Sequence, residues 1–161
     1  MPREWNRGEY LISTDAALLD VAAIHPWLSR DSYWARGISR EVLEKAIRHS
    51  LCYGIYKGRE QAGFGRLLTD YATFGYLCDV FVLPVHRGLG LSKWLVECIV
   101  TDPEFAGFRG FALFTKDAQG LYARFGFENP KDPATVMRLI KEDPYGVSGA
   151  GREGMSMLDN D

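Results

Sequence analysis

Cysteine is scarce in this chain. Cys52, Cys78 and Cys98 are too few, and odd in number, for a disulfide framework, and their spacing fits no common zinc pattern. Each lies in an apolar run, which reads as a buried packing thiol. Long apolar runs are missing too. None reaches the ~20 residues that a membrane span needs, and the polar residues 1–8 lack the apolar core of an export signal. The chain is therefore expected in the cytoplasm, without a membrane partner. There is no excess of one charge: 19 basic and 21 acidic residues leave a formal net charge of −2. That balance provides no broad basic field for nucleic acid. The spacing of His and Cys offers no metal site.

What is present suits a single globular domain. The chain has 161 residues, 47% of them hydrophobic and 25% charged, enough to bury a real core. Residues 9–13 read as a short strand. Thr14 or Asp15 caps an apolar-periodic helix through about Trp27. Ser39 starts a second helix, with acidic residues early and Arg48 and His49 late, as the helix dipole favours. Residues 51–57 and 61–69 alternate as strands around a turn. Residues 74–83 form a long apolar strand ending at Pro84, and a helix follows from about Leu89 to Val100. Residues 110–114 read as a strand, 118–125 as a short helix closed by Gly126, and 135–140 as a last strand. The expected fold is α/β, with the domain at residues 1–142. Residues 143–161 are expected to form a mobile Gly-rich tail.

The most informative segment is the turn after the long strand. Arg87, Gly88, Leu89, Gly90, Leu91 and Ser92 lead straight into a helix. The first N–H groups of a helix lack internal partners and carry the positive end of its dipole. Glycines there let backbone approach an anion, and Arg87 can add a charge-assisted contact. The turn lacks the Gly-Lys-Ser/Thr ending of a Walker loop. On physics alone it could also be a tight connection that binds nothing.

The segment resembles the central motif of the GNAT superfamily of N-acetyltransferases, Arg/Gln-x-x-Gly-x-Gly/Ala. Ser92 stands where Gly or Ala is usual, and the preceding strand resembles the family's fourth strand. A second stretch resembles the family's Asn-x-x-Ala-x-x-x-Tyr-x-x-x-Gly-Phe. Ala118, Tyr122, Gly126 and Phe127 match, and Thr115 replaces Asn. The likeness covers about residues 10–139.

The resemblance implies a mixed, mostly antiparallel central sheet with a splayed parallel strand pair and helices on both faces. It implies acetyl-CoA as co-substrate, its pyrophosphate on residues 87–92, its pantetheine arm along Phe81, Val82 and Leu83, and a contact at Thr115. Tyr122 matches the family's general acid. Asp79, inside an apolar strand, is the candidate base, as some relatives use a carboxylate on this strand. The alternative is a structural Asp paired with an arginine. Asp70 is a runner-up base in a turn-like setting.

The acceptor, a small-molecule primary amine, is expected against the aromatic stretch after the first helix. Tyr33 and Trp34 would flank it and Arg30 or Arg36 would hold a carboxylate, with Tyr71, Phe74 and Tyr76 adding to the pocket. His86 either touches a phosphate or lies on the surface. Two other readings stay open: a protein or peptide N-acetyltransferase, and a non-catalytic acyl-CoA sensor. A homodimer is compatible with the family.

Overall fold

The computed structural model describes residues 1–147. Six strands lie side by side in sequence order: β1 (Glu4–Arg7), β2 (Tyr10–Ser13), β3 (Leu51–Lys57), β4 (Glu60–Thr69), β5 (Phe74–Val82) and β6 (Gly110–Leu113). Every neighbouring pair is antiparallel except β5 and β6, which are parallel. The helices are α1 (Val21–Pro26), α2 (Arg40–Arg48), α3 (Leu91–Val100) and α4 (Gln119–Ala123). No described helix is long and apolar enough to cross a membrane.

Strand alternation sorts the core into two layers. Tyr53, Ile55, Leu67, Leu77 and Val82 face α3 and pack with Leu91, Leu95, Ile99 and Tyr122. Cys52, Phe64 and Phe81 face the other way and pack with Ile24, Leu28 and Leu43 of the α1–α2 layer. Helices thus cover both faces, as expected. The three cysteines are free thiols. Burial pushes Cys52 and Cys78 up to about 12, which keeps both protonated.

Three elements differ from expectation. The single helix expected from residue 14 or 15 is interrupted. Asp15 caps a short 3-10 turn at Ala16–Leu18, and Asp20 then caps α1 by accepting from the Ala22 and Ala23 amides. The Asp20 N–H is held by the Gln61 side chain at 3.0 Å, so the chain restarts there instead of running on. The hairpin partner β1 is an addition, joined to β2 through Gly8 at φ +58°. The strand expected at residues 135–140 is not formed. A 3-10 turn at Pro133–Thr135 leads into backbone without a ladder partner, and Met137 and Leu139 are 93% and 89% exposed. A strand needs a neighbour for its amides, and none of the described strands lies beside this segment.

Candidate active site

The site begins with a parting of strands. β5 and β6 pair only from Phe74 with Gly110 to Leu77 with Leu113. β5 then continues to Val82 without β6 beside it. The parting coincides with a bulge. Arg66 pairs with Cys78 and Phe64 with Phe81, so Gly65 alone faces Asp79 and Val80. Asp79 takes the extra residue with φ +54°, a left-handed conformation uncommon outside glycine. The bulge bends β5 and resets its alternation: Leu77 and Val80 both face the α3 layer, three residues apart. A Cβ on Gly65 would touch Leu95 at 3.0 Å and Val80 at 3.4 Å, so the close crossing there favours glycine.

Beyond β5, a 3-10 turn at Pro84–His86 carries the chain into the loop. Gly88 and Gly90 sit at φ +80° and +72°, and neither has an atom within 4 Å of its would-be Cβ. Both glycines are demanded by backbone conformation, and open space lies over them. The first amide of α3 to close a helical bond is Trp94, onto the Gly90 carbonyl at 3.0 Å. The amides of Leu91, Ser92 and Lys93 precede it and have no acceptor inside the helix. Arg87 is partly committed: its Nε donates to the Val82 carbonyl at 3.0 Å. Two of the backbone groups expected to meet a pantetheine arm are therefore already used, because Leu83 also donates to the Ala62 carbonyl at 2.8 Å. A depression of about 520 Å³ runs beside this stretch, lined by Ala23, Trp27, Asp31, Leu83, Pro84 and Arg87 among others.

Tyr122 belongs to the α3 layer and lies close enough to Tyr33 and Cys78 to feel both. It is buried in α4, with its ring 5.7 Å from that of Phe127. Its hydroxyl has no hydrogen-bond partner among the described residues. Burial, and next the neighbouring Tyr33, push it up to about 12, so it stays protonated at neutral pH. Thr115 is turned to local work: its hydroxyl accepts the Ala118 amide at 3.0 Å and starts the α4 turn.

The α1–α2 face of the bulge is polar and aromatic. Arg66 Nε donates to Asp79 Oδ2 at 2.6 Å, and Trp34 Nε1 donates to Oδ1 at 2.9 Å. Both side chains of the ion pair are nearly buried. The arginine-paired alternative weighed for Asp79 is the arrangement found. Trp34 meets Tyr33 edge to face at 4.9 Å, and Trp27 stacks on Phe81 at 4.1 Å. The Tyr33 hydroxyl accepts the Lys116 amide at 2.8 Å, which ties the α1–α2 connection to the loop after β6. Tyr145 packs into the same layer, close enough to feel the charges of Asp79 and Arg66. Residues 143–147 of the expected tail are thus seated on the domain at Tyr145, and residues 148–161 lie outside those described.

Some expected residues fall elsewhere. Tyr71 is exposed in the β4–β5 turn, at the opposite end of β5 from the loop, where it shares a depression with Met1, Arg3 and Glu104. A turn at the start of a strand cannot reach a site at its far end. Arg30 and Arg36 are exposed on the same α1–α2 connection that carries Tyr33 and Trp34. Asp70 holds its own turn, accepting from Ala72, Thr73 and Phe74 amides and from the Thr73 hydroxyl. His86 is buried instead of on the surface, with its Nδ1 bonded to the Tyr10 hydroxyl at 3.1 Å and its Nε2 3.6 Å from a Glu60 carboxylate oxygen.

Sequence reasoning missed Arg66, Trp27 and Tyr145. Arg66 carried a signal: it is a lone charge in an apolar strand, as Asp79 is, and two such residues on one sheet call for each other.

A bulged strand that parts from its neighbour and leads into a helix start with free amides forms a cleft that can receive a phosphate-bearing ligand. The acetyltransferase (GNAT) family model matches residues 21–127. A Gibberella zeae protein named "Putative acetyltransferase FG08082" is 40% identical over 145 residues, covering 76% of this chain and 81% of that protein. A GNAT-family crystal structure from Xanthomonas campestris pv. campestris superposes with a TM-score of 0.82 at 45% identity, over 87% of this chain and 99% of that one. A Clostridium acetobutylicum acetyltransferase solved with acetyl-CoA shares the fold at a TM-score of 0.58 and 13% identity, over 87% of this chain and 96% of its own. The chain belongs to the GNAT acetyltransferase family and is an N-acetyltransferase.

Proposed function

We propose that the chain transfers the acetyl group of acetyl-CoA to a primary amine of a small molecule, by direct attack on the thioester. The observation that carries this reading is the gap between β5 and β6. It opens at Leu77, and β5 runs on from there toward the uncapped amides of α3, with Tyr122 buried near Cys78 and Tyr33. The donor's pyrophosphate lies on the 87–92 loop, where Gly88 and Gly90 leave room. Its thioester sits near the bulge. Residues Tyr33, Trp34, Trp27 and Phe81 wall the acceptor side. Tyr145 narrows that side, which favours a small acceptor over a peptide groove.

Two proton transfers are needed. An alkylamine has a pKa near ~10 and must lose a proton before it attacks. The departing thiolate must gain one, and Tyr122 is the donor, because its proton is retained through neutral pH and its hydroxyl has no competing bond. Asp79 acts as a positioning residue. Its charge is met by Arg66 and its second oxygen holds Trp34, so it fixes the bulge and one wall of the acceptor side. The amine therefore loses its proton to water in the open cleft.

The test is thermal unfolding with acetyl-CoA, with NADH as control, followed by thiol release over a panel of amines. A ligand at 100 times its Kd adds about 2.7 kcal/mol. A shift with acetyl-CoA and thiol release with at least one small amine is the expected outcome. Absence of any shift would remove the donor site, and thiol release only with peptides would move the acceptor class.

A further inference from the structure

Arg138 is the one described arginine whose guanidinium nitrogens are all shielded from solvent yet have no hydrogen-bond partner. Its guanidinium lies over the Phe114 ring, 5.7 Å from the centroid. A desolvated cation without a partner is costly, and proteins tolerate one only where something else supplies the anion. The fold says where that anion would be. Leu113 pairs with Leu77, so Phe114 stands level with Cys78, next to the bulge. The Phe114 ring meets that of Tyr76 at 5.7 Å, and Tyr76 in turn feels Cys78, Asp79 and Arg66. Two residues beyond Phe114, the Lys116 amide bonds to Tyr33. Arg138 therefore joins the aromatic face of the bulge. It is well away from the pyrophosphate loop, since the four residues from Cys78 to Val82 alone span roughly 13 Å at ~3.3 Å each.

We propose that Arg138 binds an anionic group of the acceptor, so that the substrates are amines that also carry a carboxylate or a phosphate. This rests on the acetyl-transfer reading above. A guanidinium presents a planar fork that matches either group in two parallel bonds. Stacking on Phe114 holds that fork flat, and the aromatic wall leaves the amine free to approach the thioester.

The experiment compares the full chain with Arg138→Met and Arg138→Lys. The acceptors are α-amino acids with their decarboxylated amines, and glucosamine 6-phosphate with glucosamine. For the wild type, the anionic member of at least one pair is expected to be acetylated with the lower KM. The pair that responds tells carboxylate from phosphate. Arg138→Met is expected to raise KM for that acceptor about 10- to 100-fold, as loss of a charge-assisted pair does, with little change in kcat or with neutral amines. Arg138→Lys should fall between. The acetyl-CoA melting shift should persist in both variants.

A second readout needs no turnover. The melting point of Arg138→Met alone should change little, because the only described contact it gives up is the one with the Phe114 ring. Equal KM values for wild type and Arg138→Met, or an equal rise for neutral amines, would overturn the assignment. So would loss of the acetyl-CoA shift in the variant, which would assign Arg138 to the donor. No acetyl-CoA shift in the wild type would instead remove the reading on which this one rests.

Discussion

Arg66 and Asp79 meet at 2.6 Å across the bulge between β4 and β5, each nearly buried. Asp79 reaches its partner only because its backbone is left-handed, which swings its carboxylate to the α1–α2 face. Removing one member strands a charge. Arg66→Met is expected to cost about 3–5 kcal/mol, measured by urea denaturation. Asp79→Asn should be destabilising in the same direction and should leave the shape of the pH–rate profile intact. If that variant is as stable as wild type but loses its pH dependence, Asp79 takes a proton after all.

Tyr122→Phe should lower kcat by roughly 10²–10⁴-fold, the range for a lost general acid, with acetyl-CoA affinity nearly unchanged. The acid form of Tyr122 is lost only as pH rises through about 12. The wild-type rate should therefore show no falling alkaline limb from this group up to pH ~10, while the free-amine fraction of an alkylamine grows toward its pKa near ~10. Normal turnover in Tyr122→Phe would take it out of the reaction.

Gly90 separates charge from backbone strain. Its φ of +72° disfavours any side chain, but Asn tolerates that region better than most residues. Gly90→Asp should abolish the acetyl-CoA melting shift by placing a carboxylate against the pyrophosphate. Gly90→Asn should weaken the shift without removing it. Equal affinity in a folded Gly90→Asp protein would show that the anion lies elsewhere.

Asp70 is a stability residue with a pH signature. The Thr73 hydroxyl and then the Thr73 and Ala72 amides hold its carboxyl well below the usual range. A depressed folded value means that the contribution is full above the unfolded pKa near ~3.9 and is lost as pH falls below it. The melting-point gap between wild type and Asp70→Asn should be constant above pH ~5 and close progressively below pH ~4. A gap that does not narrow at all between pH ~5 and pH ~2 would mean that the difference has another cause.

The order of elements and the glycine turn before α3 were legible in the chain because each depends on local rules: alternation, caps, and glycines before a helix, whereas Tyr122 was singled out by the resemblance to the GNAT motif. Ser39 caps α2 as expected, accepting from the Val42 amide at 3.2 Å. Expectations failed where a distant group intervened. Gln61 breaks the first helix at Asp20, forty-one residues away in sequence. The segment at 135–140 has strand-like composition but no neighbouring strand to complete it.

The sequence by itself determined the α/β class and the glycine turn that opens a helix, both of which follow from spacing along a few turns of chain; Tyr122 was marked only by the likeness to the GNAT motif. Only the tertiary structure decided what Asp79 faces, that Tyr71 stands at the opposite end of β5 from the loop, and that the Arg138 guanidinium is shielded with no hydrogen-bond partner among the described residues. Each of those depends on which strands lie side by side and on a single extra residue in β5, and long-range packing sets both.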